Sequence, residues 1–417
     1  MDRMKKTGNK AVQPLSLKAN MLWNSIGSLI YLACQWLLTI VVVRISGDFV
    51  AAGVLYLAMS VFNIFQPIAV YRMYTFQISD VKHEYTLGEY FTFKFVTAGI
   101  AFIACIVYTI TTCSPSSVAA VLLFTLYRLL SVFIDVLHAA DQVYGRMDYI
   151  GISWALQGIG SLIIFVAVFA TTNSLELAFI GMIILTIAVG VFYDYPCARQ
   201  FEPVKMGISG ATIKHLLLLC LPLVIATVLC AAAASAPRQY LAFSHGETLL
   251  GAYASVAAPA AIIQMGASYI YNPLLSRFSE NFVDGDMHAF YSLLKKTLLA
   301  ITALGVAASI LLALIGPWLL ELLFGNRIAE YSYLLVPVIV CTFITGFLWF
   351  LMDLLICVRE FKGVLWGNII GLLVVLVTTV PLVAFFDANG ISFAVTIGYL
   401  AGAIIMGFAL KKSLPET

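Results

Sequence analysis

The ionisable side chains best placed for chemistry lie along one apolar stretch, residues 117–138, and just beyond it. Arg128 is followed two helical turns later by Asp135, and His138 and Asp141 then follow at i+3 and i+6. On a helix this spacing predicts that all four groups lie roughly on one face. Two interpretations stay open: a charged track lining an aqueous vestibule, or an internal Arg128–Asp135 network that fixes helix packing.

Two further arginines occupy corresponding positions in hairpins half a chain apart. One apolar run ends at Arg44, and another ends at Pro237-Arg238. The planar guanidinium fork suits two phosphate oxygens, so the pair favours a pyrophosphate ligand. The alternative is that each arginine extends from a helix end to the membrane interface.

Amides and carboxylates within the apolar runs add candidates for binding and coupling. Gln35 and Gln264 lie well within their runs and are interpreted either as hydrogen-bond partners of sugar hydroxyls or as polar contacts between helices. Asp353, like Asp194, lies near an inner helix end. Asp135, His138, Asp141 and Asp353 are the candidates for coupling to a proton or ion, with ordinary packing or interfacial carboxylates as the alternative.

Known catalytic and metal-binding patterns are absent from the sequence. It contains no GxxxxGK loop, no GxSxG, no HExxH and no CxxC or Cys/His spacing among its 8 cysteines. The prediction is therefore a chain that is not an enzyme, with no cofactor, no metal site and no nucleic-acid partner.

The composition identifies the elements that must position these residues. The chain is 62% hydrophobic and 11% charged, with a mean hydropathy of +0.99, whereas soluble domains carry roughly twice that charged fraction. At about 20 apolar residues per crossing, an all-α integral membrane fold of about twelve transmembrane helices is predicted. The runs cover residues 21–43, 49–71, 90–111, 117–138, 149–170, 175–195, 215–236, 249–275, 293–315, 331–358, 363–386 and 390–410.

The distribution of Lys and Arg predicts the orientation. With the N-terminus in the cytoplasm, the inner side receives most basic residues, Lys82 and Lys94 among them, and the outer side receives only Arg44, Arg238 and Arg327. Short loops rich in Lys and Arg stay inside, so both termini are predicted to be cytoplasmic.

The two halves of the chain match each other in order. Gly53 corresponds to Gly251, and Arg146 corresponds to Arg359. Six spans per half make the halves parallel repeats with a shared central cavity. The predicted divisions are a basic cytoplasmic leader (1–19), an N-lobe with spans 1–6 (20–195), a cytoplasmic linker (196–213), a C-lobe with spans 7–12 (214–410) and a cytoplasmic tail (411–417).

Three stretches carry a family likeness. The first is Asn20-Met-Leu-Trp-Asn24-Ser-Ile-Gly-Ser, which precedes the run ending in Arg44. The second is the hairpin with Pro237-Arg238, Leu250-Gly251-Ala-Tyr253-Ala254 and Asn272-Pro273-Leu-Leu-Ser276. The third is Asp387-Ala-Asn-Gly390-Ile-Ser. Together they resemble polysaccharide flippases of the multidrug/oligosaccharidyl-lipid/polysaccharide exporter superfamily. Where many relatives have an acidic residue before the hairpin arginine this chain has Pro237, so Arg238 itself is the matched position.

The resemblance implies two six-helix lobes around a V-shaped central cavity that opens alternately to either side of the bacterial cytoplasmic membrane. It implies an undecaprenyl-pyrophosphate-linked oligosaccharide as substrate, moved outward for assembly of surface polysaccharide such as O-antigen or capsule. Arg44, Arg128 and Arg238 are then expected to bind the headgroup, with Gln35 and Gln264 beside the glycan. The expected partners are this lipid-linked oligosaccharide, the lipid bilayer and the polysaccharide polymerase machinery.

Three other functions stay open. A drug–cation antiporter of the same superfamily would need an acidic cavity, whereas the deepest charge here is Arg128. A membrane polymerase or ligase for glycans would use a large outer loop, and the outer loops of this chain are little more than turns. A scaffold for glycan enzymes would not need a cavity lined by repeats.

Overall fold

The structure is a computed structural model that describes residues 13–80 and 83–414. Every regular element in these residues is helical, and 12 helices are long and apolar enough to cross a membrane. The chain is therefore a multi-pass membrane protein, and the predicted all-α fold is confirmed. Spans 1 to 12 are Leu17–Ser46, Val50–Ser79, Leu87–Thr112, Pro115–Val143, Met147–Thr172, Leu175–Arg199, Gly210–His245, Glu247–Val283, Met287–Phe324, Asn326–Cys357, Phe361–Phe386 and Asn389–Ser413.

Some of the predicted features fall outside the described residues. They are residues 1–12 of the basic leader, residues 415–417 of the tail, and Lys82. The cytoplasmic position of the termini and the V-shaped cavity stay predictions.

Four of the spans are interrupted. Span 2 is an α-helix from Val50–Val70 and a second from Met73–Ser79, separated by Tyr71 and Arg72 with φ of 48° and 58°. Span 6 consists of an α-helix Leu175–Val189, a π-helical segment Gly190–Asp194 and a short α-helix Tyr195–Arg199. Span 8 consists of an α-helix Glu247–Tyr271, a 3₁₀ turn Asn272–Leu274 and an α-helix Leu275–Val283. Span 10 begins with a 3₁₀ segment Asn326–Leu334 and continues as an α-helix Leu335–Cys357.

Span 7 extends further than its apolar run. The helix begins at Gly210 and continues through Pro237 and Arg238 to His245, although the run was expected to end at Pro237-Arg238. Proline removes one backbone donor and usually breaks a soluble helix, but helices in membranes tolerate it because neighbouring groups satisfy the freed carbonyl. Arg238 therefore lies within the helix.

Lys94 was counted with the basic residues of the inner side and falls within the predicted run 90–111. The structure places it inside span 3 with 0% of its surface exposed. Its Nζ donates to the carbonyl of Val70 at 2.6 Å, and Thr97 Oγ1 donates to the carbonyl of Ala69 at 3.0 Å. These two carbonyls belong to the last turn before the break in span 2, where helical partners are missing. Lys94 thus supplies a hydrogen-bond donor to an otherwise unpaired carbonyl at the end of the first helix of span 2.

The chain packs as two compact units. Unit 1 contains the chain up to Gly47 together with Val61–Val224, and unit 2 contains Asp48–Ser60 and the chain from Ile225 onward. These units divide the chain inside spans 2 and 7, whereas the lobes predicted from sequence divide it at the loop 196–213.

Glycines set the closest helix approaches within each unit. In unit 1, a Cβ on Gly27 would collide with the backbone of Gly151, and one on Gly151 would lie 2.5 Å from the Trp23 carbonyl oxygen. Spans 1 and 5 therefore pack backbone to backbone, which small residues permit in membranes. Spans 11 and 12 of unit 2 pack the same way, since a Cβ on Gly398 would lie 2.7 Å from the carbonyl oxygen of Gly371.

Gly53 and Gly251, which the internal repeat aligns, lie against each other in unit 2. A Cβ on Gly251 would lie 2.8 Å from the Gly53 nitrogen and would collide with the carbonyl of Phe49, while one on Gly53 would collide with the carbonyl of Glu247. Reciprocal contact of this kind is typical of a two-fold relation between equivalent segments.

Candidate functional site

A polar cavity of about 300 Å³ lies within unit 1, enclosed by spans 1, 2, 4 and 5. We call it the unit 1 cavity. A second cavity in the same unit, about 380 Å³, has an almost wholly apolar lining without a charged side chain. The unit 1 cavity, by contrast, combines charges, amides, hydroxyls and aromatic rings, so it is the candidate site. Its lining residues are Ser28, Tyr31, Leu32, Phe62, Gln66, Arg128, Ser131, Val132, Asp135, Trp154 and Gln157.

Arg128 is positioned by span 1 and span 2. Its Nη1 donates to Tyr31 Oη at 2.6 Å, and its guanidinium carbon lies 5.6 Å from the centroid of the Phe62 ring. The hydroxyl and the ring fix the side chain, and the ring adds a cation–π contribution. Since one N–H is used by Tyr31, the other donors of the fork remain for a ligand in the cavity.

Asp135 lines the same cavity as Arg128 without forming an ion pair with it. The two residues are seven positions apart on span 4, which separates them by about 10 Å along the helix. In the described chain no group donates a hydrogen bond to the Asp135 carboxylate and no cation lies within 4.0 Å of it. The carboxylate therefore faces the cavity as an open acceptor.

His138 leaves the expected track and is enclosed in packing. Only 1% of it is exposed, and its Nε2 lies 3.2 Å from Asp194 Oδ1. Its ring meets Trp154 edge to face, with centroids 5.9 Å apart. Asp194 reaches it from the π-helical segment of span 6. His138 thus supports a cavity-lining tryptophan from behind instead of lining the cavity itself.

Asp141 is also enclosed. It is 0% exposed, and neither carboxylate oxygen has a hydrogen-bond partner in the described residues. Six residues after Asp135, a helix has turned by about 600°, which places Asp141 roughly 120° from it. The nearby Arg146 is held by Asp148, with bonds of 2.9 and 2.7 Å; these bonds raise the pKa of Arg146 above its ordinary value.

The amides around the cavity are partly engaged. Gln35 Nε2 donates to Tyr127 Oη at 3.3 Å, so Gln35 joins span 1 to span 4 next to the cavity. Gln157 is 3% exposed, and its Nε2 donates to Ser153 Oγ at 3.0 Å. Gln66 lines the cavity and has no hydrogen-bonding partner among the described side chains.

The remaining predicted site residues lie elsewhere. Arg44 is exposed near the end of span 1, thirteen residues from Tyr31, which is about 20 Å along the helix. Arg44 and Arg128 therefore do not contact one pyrophosphate together in this conformation. Arg238, Gln264 and Asp353 all belong to unit 2 and are partly exposed.

Sequence reasoning missed Tyr31 and Trp154, and it used Lys94 only as a marker of the inner side. The aromatic residues carry no signal that separates a cavity lining from an interfacial belt. Lys94 did carry a signal, because a lysine four residues past the Tyr90 that begins a predicted run lies inside that run.

The cavity can hold a ligand that combines an anion with several hydroxyls. Arg128 supplies a fixed cation, Asp135 an acceptor, and Gln66, Ser131 and Gln157 neutral polar groups. The opposite charges of Arg128 and Asp135 balance, so the cavity does not select by net charge alone. No group of three or more potential metal ligands occurs among the described residues.

Comparison with known proteins found a distant sequence relative and solved structures of similar fold. No protein-family model matches it. The capsular polysaccharide biosynthesis protein CapF of Staphylococcus aureus is 23% identical over 239 residues, which cover 57% of this chain and 60% of CapF. The chain thus spans about three fifths of the length of this curated relative.

Solved structures share the fold over nearly the whole chain. The lipid II flippase MurJ, in an inward closed conformation, has a TM-score of 0.71 at 11% identity and covers 94% of this chain and 87% of its own. An inward-facing multidrug MATE family transporter of the MOP superfamily has a TM-score of 0.65 at 11% sequence identity. That match covers 99% of this chain and 97% of the transporter. A point mutant of the Vibrio cholerae MATE transporter VcmN has a TM-score of 0.59 at 13% sequence identity. That match covers 94% of this chain and 98% of VcmN. The chain therefore has the MOP-type transporter fold.

Proposed function

We propose that this chain is a flippase that moves an undecaprenyl-pyrophosphate-linked oligosaccharide across the bacterial cytoplasmic membrane. It acts by alternating access and supplies the assembly of surface polysaccharide. The single observation that carries this proposal is Arg128, a fixed cation in a polar cavity inside a helix bundle of the MOP fold. Ionisable groups at such depth are costly and are usually tied to function.

The chemistry of the headgroup supports the assignment. A pyrophosphate offers several oxygens to a guanidinium, and charge-assisted bonds of this type are roughly twice as strong as neutral ones. The amides and hydroxyls near Arg128 suit the sugars, while the polyprenyl tail stays in the lipid. Arg44 and Arg238 serve as further contacts to the headgroup along its path, and Gln35 and Gln264 serve the glycan.

The comparisons support the same class of cargo. The MurJ structure is that of a lipid II flippase, and CapF is named for capsular polysaccharide biosynthesis. Transfer of a lipid-linked glycan to a polysaccharide polymerase on the outer face would follow translocation. Asp135, His138, Asp141 and Asp353 remain the candidates for coupling this movement to a proton or ion.

The second candidate is export of organic cations, because MATE multidrug transporters share the fold. The charges of the cavity do not favour it, since Asp135 only offsets the charge of Arg128 and leaves no net negative charge to attract a cation. A glycan polymerase or ligase is disfavoured because the loops between consecutive described spans are short.

Transport in reconstituted vesicles tests the proposal. The purified chain is placed in liposomes with a labelled polyprenyl-pyrophosphate oligosaccharide in one leaflet, and label reaching the other leaflet is measured. We expect movement that depends on the protein and is lost in Arg128→Ala. The proposal is contradicted if Arg128→Ala moves the labelled lipid as fast as the parent chain does, or if the parent chain exports an organic cation instead.

A further inference from the structure

We propose that the unit 1 cavity binds the sugar that is directly attached to the pyrophosphate, and that Asp135 makes this site selective for a neutral sugar over a carboxylated one. This inference rests on the proposed function, since it names the part of that substrate which the cavity recognises. It concerns one sugar and not the whole oligosaccharide.

The size of the cavity fits one sugar ring. A volume of about 300 Å³ corresponds to roughly ten water molecules at about 30 Å³ each. This is enough space for a single hexose with its hydroxyls.

Asp135 supplies the strongest polar recognition. Its carboxylate lines the cavity and receives no hydrogen bond from the described residues, so it can accept from two neighbouring hydroxyls of a sugar. Hydrogen bonds to an ionised acceptor are shorter and stronger than those between neutral groups. The same charge repels the carboxylate of a uronic acid, and this repulsion gives the selectivity.

Neutral groups complete the set of partners. Ser131 Oγ is buried and has no hydrogen-bond partner among the described residues. The Nε2 of Gln157 is engaged with Ser153, and no described group donates to its Oε1. Buried polar atoms normally have partners, and Ser131 Oγ lacks one beside this cavity, so a hydroxyl of a bound ligand would supply it.

Trp154 supplies an apolar surface for the ring. Its indole lines the cavity, and the edge-to-face contact with His138 fixes its position. His138 is in turn held by Asp194 at 3.2 Å. Aromatic faces pack well against the C–H groups of a sugar while the hydroxyls turn to polar partners.

Arg128 places the phosphate next to this sugar. It lines the same cavity, and its contact with Tyr31 leaves donors free. A sugar that is bonded to a phosphate on Arg128 must lie immediately beside that phosphate, and hence among Asp135, Trp154 and Gln157.

Binding of three short-chain probes to the purified full-length chain tests the inference. The probes are a polyprenyl diphosphate without sugar, the same lipid carrying a neutral hexose, and the same lipid carrying a hexuronic acid. We expect the neutral hexose to tighten binding by about tenfold over the bare diphosphate, and the uronic acid to give no such gain.

Variants separate the contributions. Asp135→Asn is expected to remove the preference for the neutral sugar over the uronic acid, while Trp154→Phe reduces the gain from the hexose only. Asp135→Ser removes the same charge and is measured instead should Asp135→Asn fail to fold. The matched control is Asp284→Asn, which removes an exposed loop carboxylate and is expected to bind like the parent.

The outcomes distinguish the two proposals. Equal binding of the bare and hexose-bearing lipids, with Arg128→Ala abolishing both, overturns the sugar site and leaves the proposed function standing. A preference for the neutral sugar that persists in Asp135→Asn or, where that variant does not fold, in Asp135→Ser also overturns the sugar site. Failure of all three lipids to bind the parent chain overturns the proposed function and the sugar site together.

Discussion

The Arg128 guanidinium and the Tyr31 hydroxyl are joined by a hydrogen bond of 2.6 Å that links span 4 to span 1. In a low-dielectric interior such a bond both orients the cation and stabilises its charge. The position of the cavity's cation therefore depends on a residue of another span.

We expect Arg128→Lys to reduce transport strongly, because an ammonium keeps the charge but not the planar fork that engages two oxygens. Tyr31→Phe should cause a smaller loss, about tenfold, since one hydrogen bond to a charged group is removed. The measurement is the initial rate of lipid-linked glycan movement in vesicles. Arg199→Ala, at the exposed end of span 6, is the control. Unaltered rates in both test variants would show that this pair has no role in transport.

The crossing of spans 1 and 5 gives a stability prediction. Gly27→Val should destabilise the protein by about 1–3 kcal/mol, because its side chain would enter the backbone of Gly151. Gly99→Ala is the control, since nothing lies within 4 Å of a Cβ there and alanine favours a helix over glycine by up to about 1 kcal/mol. Thermal unfolding in detergent should therefore separate the two variants in opposite directions. Similar unfolding temperatures would contradict the packing described.

Lys94 gives a second stability prediction. Lys94→Met keeps the length and the apolar stem but leaves the Val70 carbonyl without its donor at 2.6 Å. An unsatisfied buried acceptor costs about 1–3 kcal/mol, so the unfolding temperature should fall. Lys296→Met, on the exposed surface of span 9, should not change it. If both methionine variants unfold together with the parent, the lysine does not stabilise the helix break.

The loop between spans 2 and 3 is expected to lose stability at acidic pH because of Asp80. Burial alone would raise its pKa, but hydrogen bonds from the N–H of Glu84, the N–H of Tyr85 and the hydroxyl of Tyr90 hold the pKa below its usual range. A lowered pKa in the folded state means that the stabilisation is complete above the unfolded value, about 3.9. It is lost as the pH falls through the folded value.

Hydrogen exchange checks this loop directly. Protection of the Glu84 and Tyr85 amides should hold from about pH 6 to pH 4 and decrease toward pH 3, after correction for intrinsic rates. Asp80→Asn should lower the protection at all of these values. Protection that rises as the solution is acidified would mean that the sign of the argument is wrong.

The buried carboxylate of Asp141 is expected to lower the stability of the folded protein. Its buried oxygens have no hydrogen-bond partner among the described residues, and an isolated charge there is expensive. Asp141→Asn should therefore leave the unfolding temperature unchanged or raise it at about pH 7. The comparison is with Asp148→Asn, which loses the two bonds from Arg146 and should lower it. A marked fall in Asp141→Asn would indicate that the carboxylate is paired after all.

Hydropathy and charge were enough to predict the twelve spans, since a run of about twenty apolar residues has few other structures open to it. They also identified Arg128 and Asp135, because a seven-residue spacing returns to nearly the same face of a helix. Both residues do line one cavity.

The rest of the site depends on contacts that the sequence does not encode locally. The predicted track failed at His138 and Asp141 because a spacing of three or six residues turns the side chain away from Asp135 by about 60° and 120°. Tyr31 and Trp154 enter only through the packing of spans 1, 4 and 5. The partner of Lys94 could not be predicted, because the carbonyl that holds this buried lysine is available only through the helix break in span 2.

The π-helical turn from Gly190–Asp194 has a consequence for how span 6 tolerates change. Such turns hold one residue more than an α-helix of the same height, and the extra residue sets the direction in which Asp194 points. Deleting a single residue there would restore an ordinary helix of the same height, so the flanking helices would keep their faces and only the residues of the π-helical turn would point in new directions. Asp194 would then point away from His138. Trp154, whose ring packs against His138, would lose this indirect support although no residue in contact with Trp154 had been substituted.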